Sequence, residues 1–146
     1  MASKNKKLRS GYTTGACAAA AAKAAVILAV SGQQSAVRNV EIPFPDGSRV
    51  TFKVYSSGFN ANDNSAFASV IKDAGDDPDV TNRAEISATV RLIKQQSSRA
   101  AEQQDKDKDA SALTVKGGEG VGIVTKPGLP IPVGEAAINP VPRRMI

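Results

Sequence analysis

Residues 14 to 30 read TGACAAAAAKAAVILAV, and a run so rich in alanine folds into little other than a helix. Alanine loses no side-chain entropy on becoming helical and has the highest intrinsic propensity. Thr13 or Thr14 can accept a hydrogen bond from a free first-turn amide, and Gly32 supplies a stop. The spacing predicts a helix over 14–30. Cys17, Ala20, Ala21, Ala24, Ile27 and Leu28 then share one stripe, with Lys23 well off it. Side chains this small let a sheet or another helix approach closely.

The same run must be weighed as a secretion signal, because Lys4, Lys6, Lys7 and Arg9 precede it and AAVILAVSG resembles an apolar core with a small-residue exit. The polar GYTTG between charge and apolar run, and Lys23 inside it, argue against that reading. A cytoplasmic chain with a core helix and no membrane span is the expectation. Aromatic residues are 4% of the 146, with no Trp, so alanine, valine and isoleucine must fill the core. The net charge of +5 favours anions of any kind, from nucleic acid to polycarboxylate metabolites, and names none of them. A single cysteine excludes an internal disulfide. The absence of histidine removes the usual ligand or base of zinc, haem and triad chemistry. Any site here works with carboxylates, amines, hydroxyls and backbone amides, and no metal ligands are assigned.

Beyond the helix, VRNVEIPF and SRVTFKVY alternate in polarity around Pro45-Asp46-Gly47 and read as a β-hairpin, with Val50, Phe52 and Val54 on one face. SSGFNANDNS reads as a loop by composition. FASVIKDAGDDPDVTN starts apolar and ends in an acidic bend. AEISATVRLIK alternates again through Ile86, Ala88, Val90 and Leu92. QQSSRAAEQQDKDKDASA has no apolar period and reads as a surface loop or solvated helical excursion. LTVKGGEGVGIVTKPGLPIPVG reads as two short strands around a glycine cluster, and INPVPRRMI as the start of a further element. One helix beside about five strands, with hairpins and no βαβ alternation, indicates a single α+β domain over 1–146. Its sheet is mixed but largely antiparallel, with the alanine helix packed on it, as in the second domain of ribosomal protein S5.

Three features invite chemistry. Gly118, Gly120 and Gly122 lie in a GGEGVG run that breaks the dinucleotide register and lacks the lysine of a phosphate loop, leaving a bulged hairpin or a ligand cradle. Asp73, Asp76, Asp77 and Asp79 form either a turn capped by carboxylates or a functional loop in which one of them accepts a proton. Cys17 falls in the first helical turn, where a thiol pKa is lowered, yet without a base partner it reads as a small packed residue.

Three stretches taken in order, LRSGYTTGACAAAAAKAA, VIKDAGDDPDVTN and GGEGVGIVTKPGLPIPVGEAAINPVPRRMI, resemble the N-terminal part of the CbiD family of anaerobic cobalamin biosynthesis. Ala16, where a hydroxylated residue is expected, and Asn82-Arg83, where a residue-glycine pair is expected, depart from that pattern. The resemblance implies methyl transfer from S-adenosylmethionine to C-1 of cobalt-precorrin-5B. Cobalt enters only within the anionic corrinoid substrate, and a C-terminal domain of the same protein completes the enzyme. On the matching positions it implies Asp73 and Asp76 as catalytic carboxylates, and Gly118, Gly120 and Gly122 at the cofactor. It also implies Gly11, Thr13, Thr14, Gly15, Lys72 and Lys126 at the substrate. The helix start would offer the amides of Gly15, Ala16 and Cys17 to a substrate carboxylate, with Gly11 and Gly15 leaving room for the ring. A basic nucleic-acid-binding module and a non-catalytic assembly domain are the alternatives from other classes.

Overall fold

A computed structural model describes residues 7–32, 36–93 and 113–146. The chain divides into two compact units, one of Met1–Leu92 with Ile138–Ile146 and one of Ile93–Ala137. The charged run expected as a surface loop lies outside the described residues.

In the first unit, α1 (Thr14–Ser31) ends on Gly32 in the left-handed conformation, whose amide reaches the Leu28 carbonyl. The expected helix is present, one residue longer. Its burial is broader than one stripe: Ala16, Cys17, Ala19, Ala20, Ala21, Ala22, Ala24, Ala25, Leu28 and Ala29 are all buried. Ile27 was expected on the inner face but is 43% exposed, while Lys23 sits outside and donates to the Glu41 carbonyl at 2.6 Å. Among the described residues α1 is also long and apolar enough to cross a membrane, and 56% of it is buried within the fold.

The hairpin forms as read. β1 (Asn39–Pro43) pairs antiparallel with β2 (Arg49–Lys53), Val40 opposite Phe52 and Ile42 opposite Val50. Gly47 takes a φ of 85° in the turn, where the Asp46 carboxylate accepts from the Ser48 amide. Val40, Ile42, Phe52 and Val54 join the buried alanines of α1 in one core.

A second sheet, in the order β3-β4-β5, consists of β3 (Ser56–Asn60), β4 (Ser65–Ile71) and β5 (Glu85–Arg91), all antiparallel. Ala66, Ala68 and Val70 of β4 are buried, and Ala68 and Val70 belong to the α1 core. The small residues of helix and strand explain how the two come so close. The expected loop SSGFNANDNS is therefore part strand: Gly58 pairs with Phe67, whose ring lies where a Gly58 Cβ would be. Composition hid β3 because its stability comes from pairing and from that ring, neither of which is local. A short helix, α2 (Pro140–Met145), closes the unit against α1, with Met145 and Ile146 on the core. This is the further element that INPVPRRMI announced.

In the second unit the described residues carry no named strand, contrary to the two expected around the glycine cluster. An isolated bridge joins Ile123 to Ala136, and the Gly122 carbonyl accepts from the Ala137 amide. Among the described residues the strands again number five, because β3 and β4 stand in for the two expected around the glycine cluster.

Arg83 holds a φ of 66°, a left-handed conformation that costs a side chain with a Cβ about 1 kcal/mol. The resemblance leads one to expect glycine at this position, and glycine would adopt this conformation without that cost. Arg83→Gly should therefore stabilise the protein by roughly 0.5–1 kcal/mol in a urea titration.

Candidate functional site

The start of α1 meets the acidic bend through a short strap of chain, residues 8–12. The Arg9 amide donates to Asp76 Oδ2 at 2.7 Å, and the Asp76 amide to the Arg9 carbonyl at 2.9 Å. Ser10 bridges Gly75, and the Tyr12 amide donates to the Asp73 carbonyl at 2.7 Å. The Tyr12 ring then packs against Phe52 in a tilted arrangement, ring centroids 4.9 Å apart and planes at 58°. Gly11 is glycine because the chains cross there: a Cβ would lie 1.9 Å from the Ala74 carbonyl carbon. The room at Gly11 is therefore filled by the protein's own backbone, a correction to the reading that it admits a ligand ring.

Gly15 is corrected in the same way. Its missing side chain makes room for α2, since a Cβ would stand 2.6 Å from Pro142 Cγ. Thr13 is the N-cap, its hydroxyl accepting from the Ala16 amide at 3.1 Å and its carbonyl from the Cys17 amide at 3.1 Å. Two of the three amides expected to face an anion are thus already bonded. The free donors of the first turn are the amides of Thr14 and Gly15, which have no partner among the described residues. Cys17 is fully buried, and burial pushes its thiol up, so it is the packed residue rather than a nucleophile.

The two carboxylates expected to be catalytic separate. Asp73 takes both guanidinium nitrogens of Arg9, at 2.6 and 2.9 Å, and accepts the Gly75 amide. The Arg9 hydrogen bonds, followed by the Gly75 amide, hold its carboxyl at about 2, which makes it a poor proton acceptor near neutrality. Asp73 is a fastener of the strap. Asp76 shares that fastening but lines an open groove of about 380 Å³ between the strap and the bend. Leu8, Arg9, Gly11, Tyr12, Thr13, Asp77, Pro78 and Asp79 also line it. The bend itself is pinned by Asn82, whose side-chain oxygen accepts from the Ala74 amide at 3.0 Å.

Lys72, expected to clamp a substrate carboxylate, is buried instead. Its ammonium donates to Thr14 Oγ1 at 3.0 Å, Thr81 Oγ1 at 2.7 Å and Asp79 Oδ2. The Lys72 bond, followed by those from Thr81, holds the Asp79 carboxyl well below the usual carboxylate range. Sequence reasoning missed this cluster. The one signal was that Lys72 continues the inward alternation of Ala66, Ala68 and Val70.

In the second unit Gly118 to Val121 form a turn, with Gly120 at a φ of 79°. Gly122 engages Ala137, and Lys126 is exposed. Among the described residues the glycine cluster is thus a turn without the paired strands of a hairpin on either side of it.

Against known proteins, the CbiD family model matches residues 1–146. The chain belongs to the CbiD family. A cobalt-precorrin-5B C(1)-methyltransferase of Geobacter metallireducens is 50% identical over 141 residues, which are 97% of this chain and 35% of that protein. The enzyme of the same name from Geobacillus thermodenitrificans is 49% identical, covering 97% and 33%. That of Agrobacterium fabrum is 46% identical over 146 residues, covering 100% and 34%. This CbiD chain thus spans about a third of the length of the curated relatives it matches. No solved structure matches it significantly.

Proposed function

We propose that this chain is the N-terminal portion of an S-adenosylmethionine-dependent methyltransferase that methylates C-1 of cobalt-precorrin-5B to give cobalt-precorrin-6A. The observation that carries the proposal is near-50% identity, along almost the whole chain, to enzymes of that name. The cobalt belongs to the substrate.

Within that activity, the groove at the start of α1 suits the amino-acid end of the methyl donor. It has two poles. At the end marked by the lining residue Thr13, the adjacent unbonded amides of Thr14 and Gly15 and the positive end of the helix dipole favour a carboxylate. Elsewhere on the lining Asp76 and Asp77 favour an ammonium and a sulfonium. Asp73 and Asp79 add little to that negative pole, because Arg9 and Lys72 answer them. A groove of about 380 Å³ is near the lower end of small-molecule sites, roughly 300–1,000 Å³, and is too small for a corrin macrocycle. When bound, the donor supplies an electrophilic methyl group on a cationic sulfur. The protein's own task is placement, with Tyr12 and Leu8 as an apolar wall and Asp76 at hand to receive a proton. Lys126 stays a candidate for the acid arms of the corrinoid, and the glycine turn at 118–121, expected at the cofactor, joins it once the donor is placed in the groove.

The test is to supply the full-length protein with S-adenosylmethionine carrying an isotopically labelled methyl group and with cobalt-precorrin-5B. Label at C-1 of the product is the expected result. A corrinoid recovered unlabelled, under conditions where a curated relative transfers the methyl group, contradicts the proposal.

A further inference from the structure

Lys72 directly follows β4 and keeps that strand's inward direction, which carries its side chain beneath the start of α1. Its backbone is fixed on both sides: the amide donates to the Ala84 carbonyl at 2.9 Å, and the carbonyl accepts from the Arg83 amide at 2.8 Å. Only 3% of the residue is exposed, so an ammonium there needs an acceptor for each of its three protons. It has them in Thr14, Thr81 and Asp79. Thr81 extends the chain of bonds, donating its hydroxyl to Asp79 Oδ1 at 2.6 Å while its amide reaches the same oxygen at 2.7 Å.

Thr14 belongs to the helix start and the other two to the 79–81 segment, and the Thr14 and Thr81 hydroxyls themselves stand 3.4 Å apart. Thr14 is the first residue of α1, next to Thr13, which lines the groove, and Asp79 lines it too. We infer that Lys72 is a positioning residue: its buried ammonium ties the helix start to the 79–81 segment and so sets the width of the groove. It acts through Thr14 and Asp79 and touches no ligand, because none of its protons is left over. The inference rests on the groove being the donor site only for its consequence in binding. The mechanical link stands on the geometry alone.

Two readouts separate these levels. The first is amide hydrogen exchange in the full chain. Thr14→Val removes one acceptor of Lys72 together with the Thr14–Thr81 hydroxyl contact and keeps both charges, while Lys72→Met leaves that contact in place. Thr14→Val should speed exchange at the Thr81 and Asn82 amides of the adjoining segment about tenfold, and Thr14→Ser should restore them. Lys72→Met should do the same at Ala16, Thr81 and Asn82 together. Unchanged exchange at Thr81 and Asn82 in Thr14→Val overturns the link, whether or not Lys72→Met folds. The second is a double-mutant cycle read by S-adenosylhomocysteine binding to the full-length protein. Each single change should weaken binding about tenfold, and the pair no more than the worse single. A roughly hundredfold additive loss overturns action of Lys72 through Thr14. Wild-type protein that fails to bind S-adenosylhomocysteine, with exchange still coupled between the two segments, refutes the donor site and leaves the link standing.

Discussion

Gly11→Ala should lower the unfolding free energy by about 3 kcal/mol, an effect at the upper end for an added methyl group. The new Cβ would stand 1.9 Å from the Ala74 carbonyl carbon and 2.3 Å from both the Ala74 oxygen and the Gly75 nitrogen. All three are backbone atoms, so no rotamer relieves the collision. The strap must lift away, losing the Tyr12 bond to Asp73 and the tilted ring contact of Tyr12 with Phe52. Because the strap is one wall of the groove, ligand binding should vanish with it. Gly118→Ala is the matched control: its Cβ would meet nothing, and it should stay within about 0.5 kcal/mol of wild type. Denaturant midpoints of the two variants decide the matter. Equal midpoints for Gly11→Ala and wild type would show that the strap contributes nothing.

The second large effect belongs to the alanine helix. Ala20 is completely buried in the core that also holds Ala68 and Val70 of β4. Ala20→Leu adds three carbons where helix and strand meet through small residues. It should cost about 3 kcal/mol by forcing the helix off the sheet. A better-filled core would instead stabilise, since each buried methylene is worth about 0.8 kcal/mol, but only where a void receives it. Neighbours as small and as fully buried as these leave no such space. Ile27→Ala, at a half-exposed position on the same helix, should cost under about 1 kcal/mol. A thermal melt that ranks the two the other way would mean that α1 packs loosely.

These two sites also mark what the sequence discloses. The cap at Thr13, the stop at Gly32 and the Pro45-Asp46-Gly47 hairpin were legible because each depends on residues a few positions apart. The alternation in β5 was legible for the same reason. In sequence Gly11 and Gly15 read as room for a ligand, because a glycine announces close approach without saying of what. The approaching groups, Ala74 and Pro142, are far along the chain. In sequence Lys72 reads as a substrate clamp and Asp73 as a proton acceptor for a similar cause. Charge is visible in a sequence, but the partners that neutralise it, Asp79 and Arg9, are fixed only when the bend folds against the strap. Ile27 fell on the wrong side because burial around α1 is set by what surrounds it, namely the sheet, the hairpin and α2.

The central claim is that the groove between the strap and the acidic bend is where the methyl donor is held. Asp77 tests it most directly, because its carboxylate lines the groove, is exposed and has no partner among the described residues. Reversing its charge should therefore spare the fold. Binding of S-adenosylmethionine to full-length Asp77→Lys, measured by titration calorimetry beside the unfolding midpoint, should be at least about tenfold weaker with the midpoint unchanged. Wild-type affinity in that variant would place the donor elsewhere.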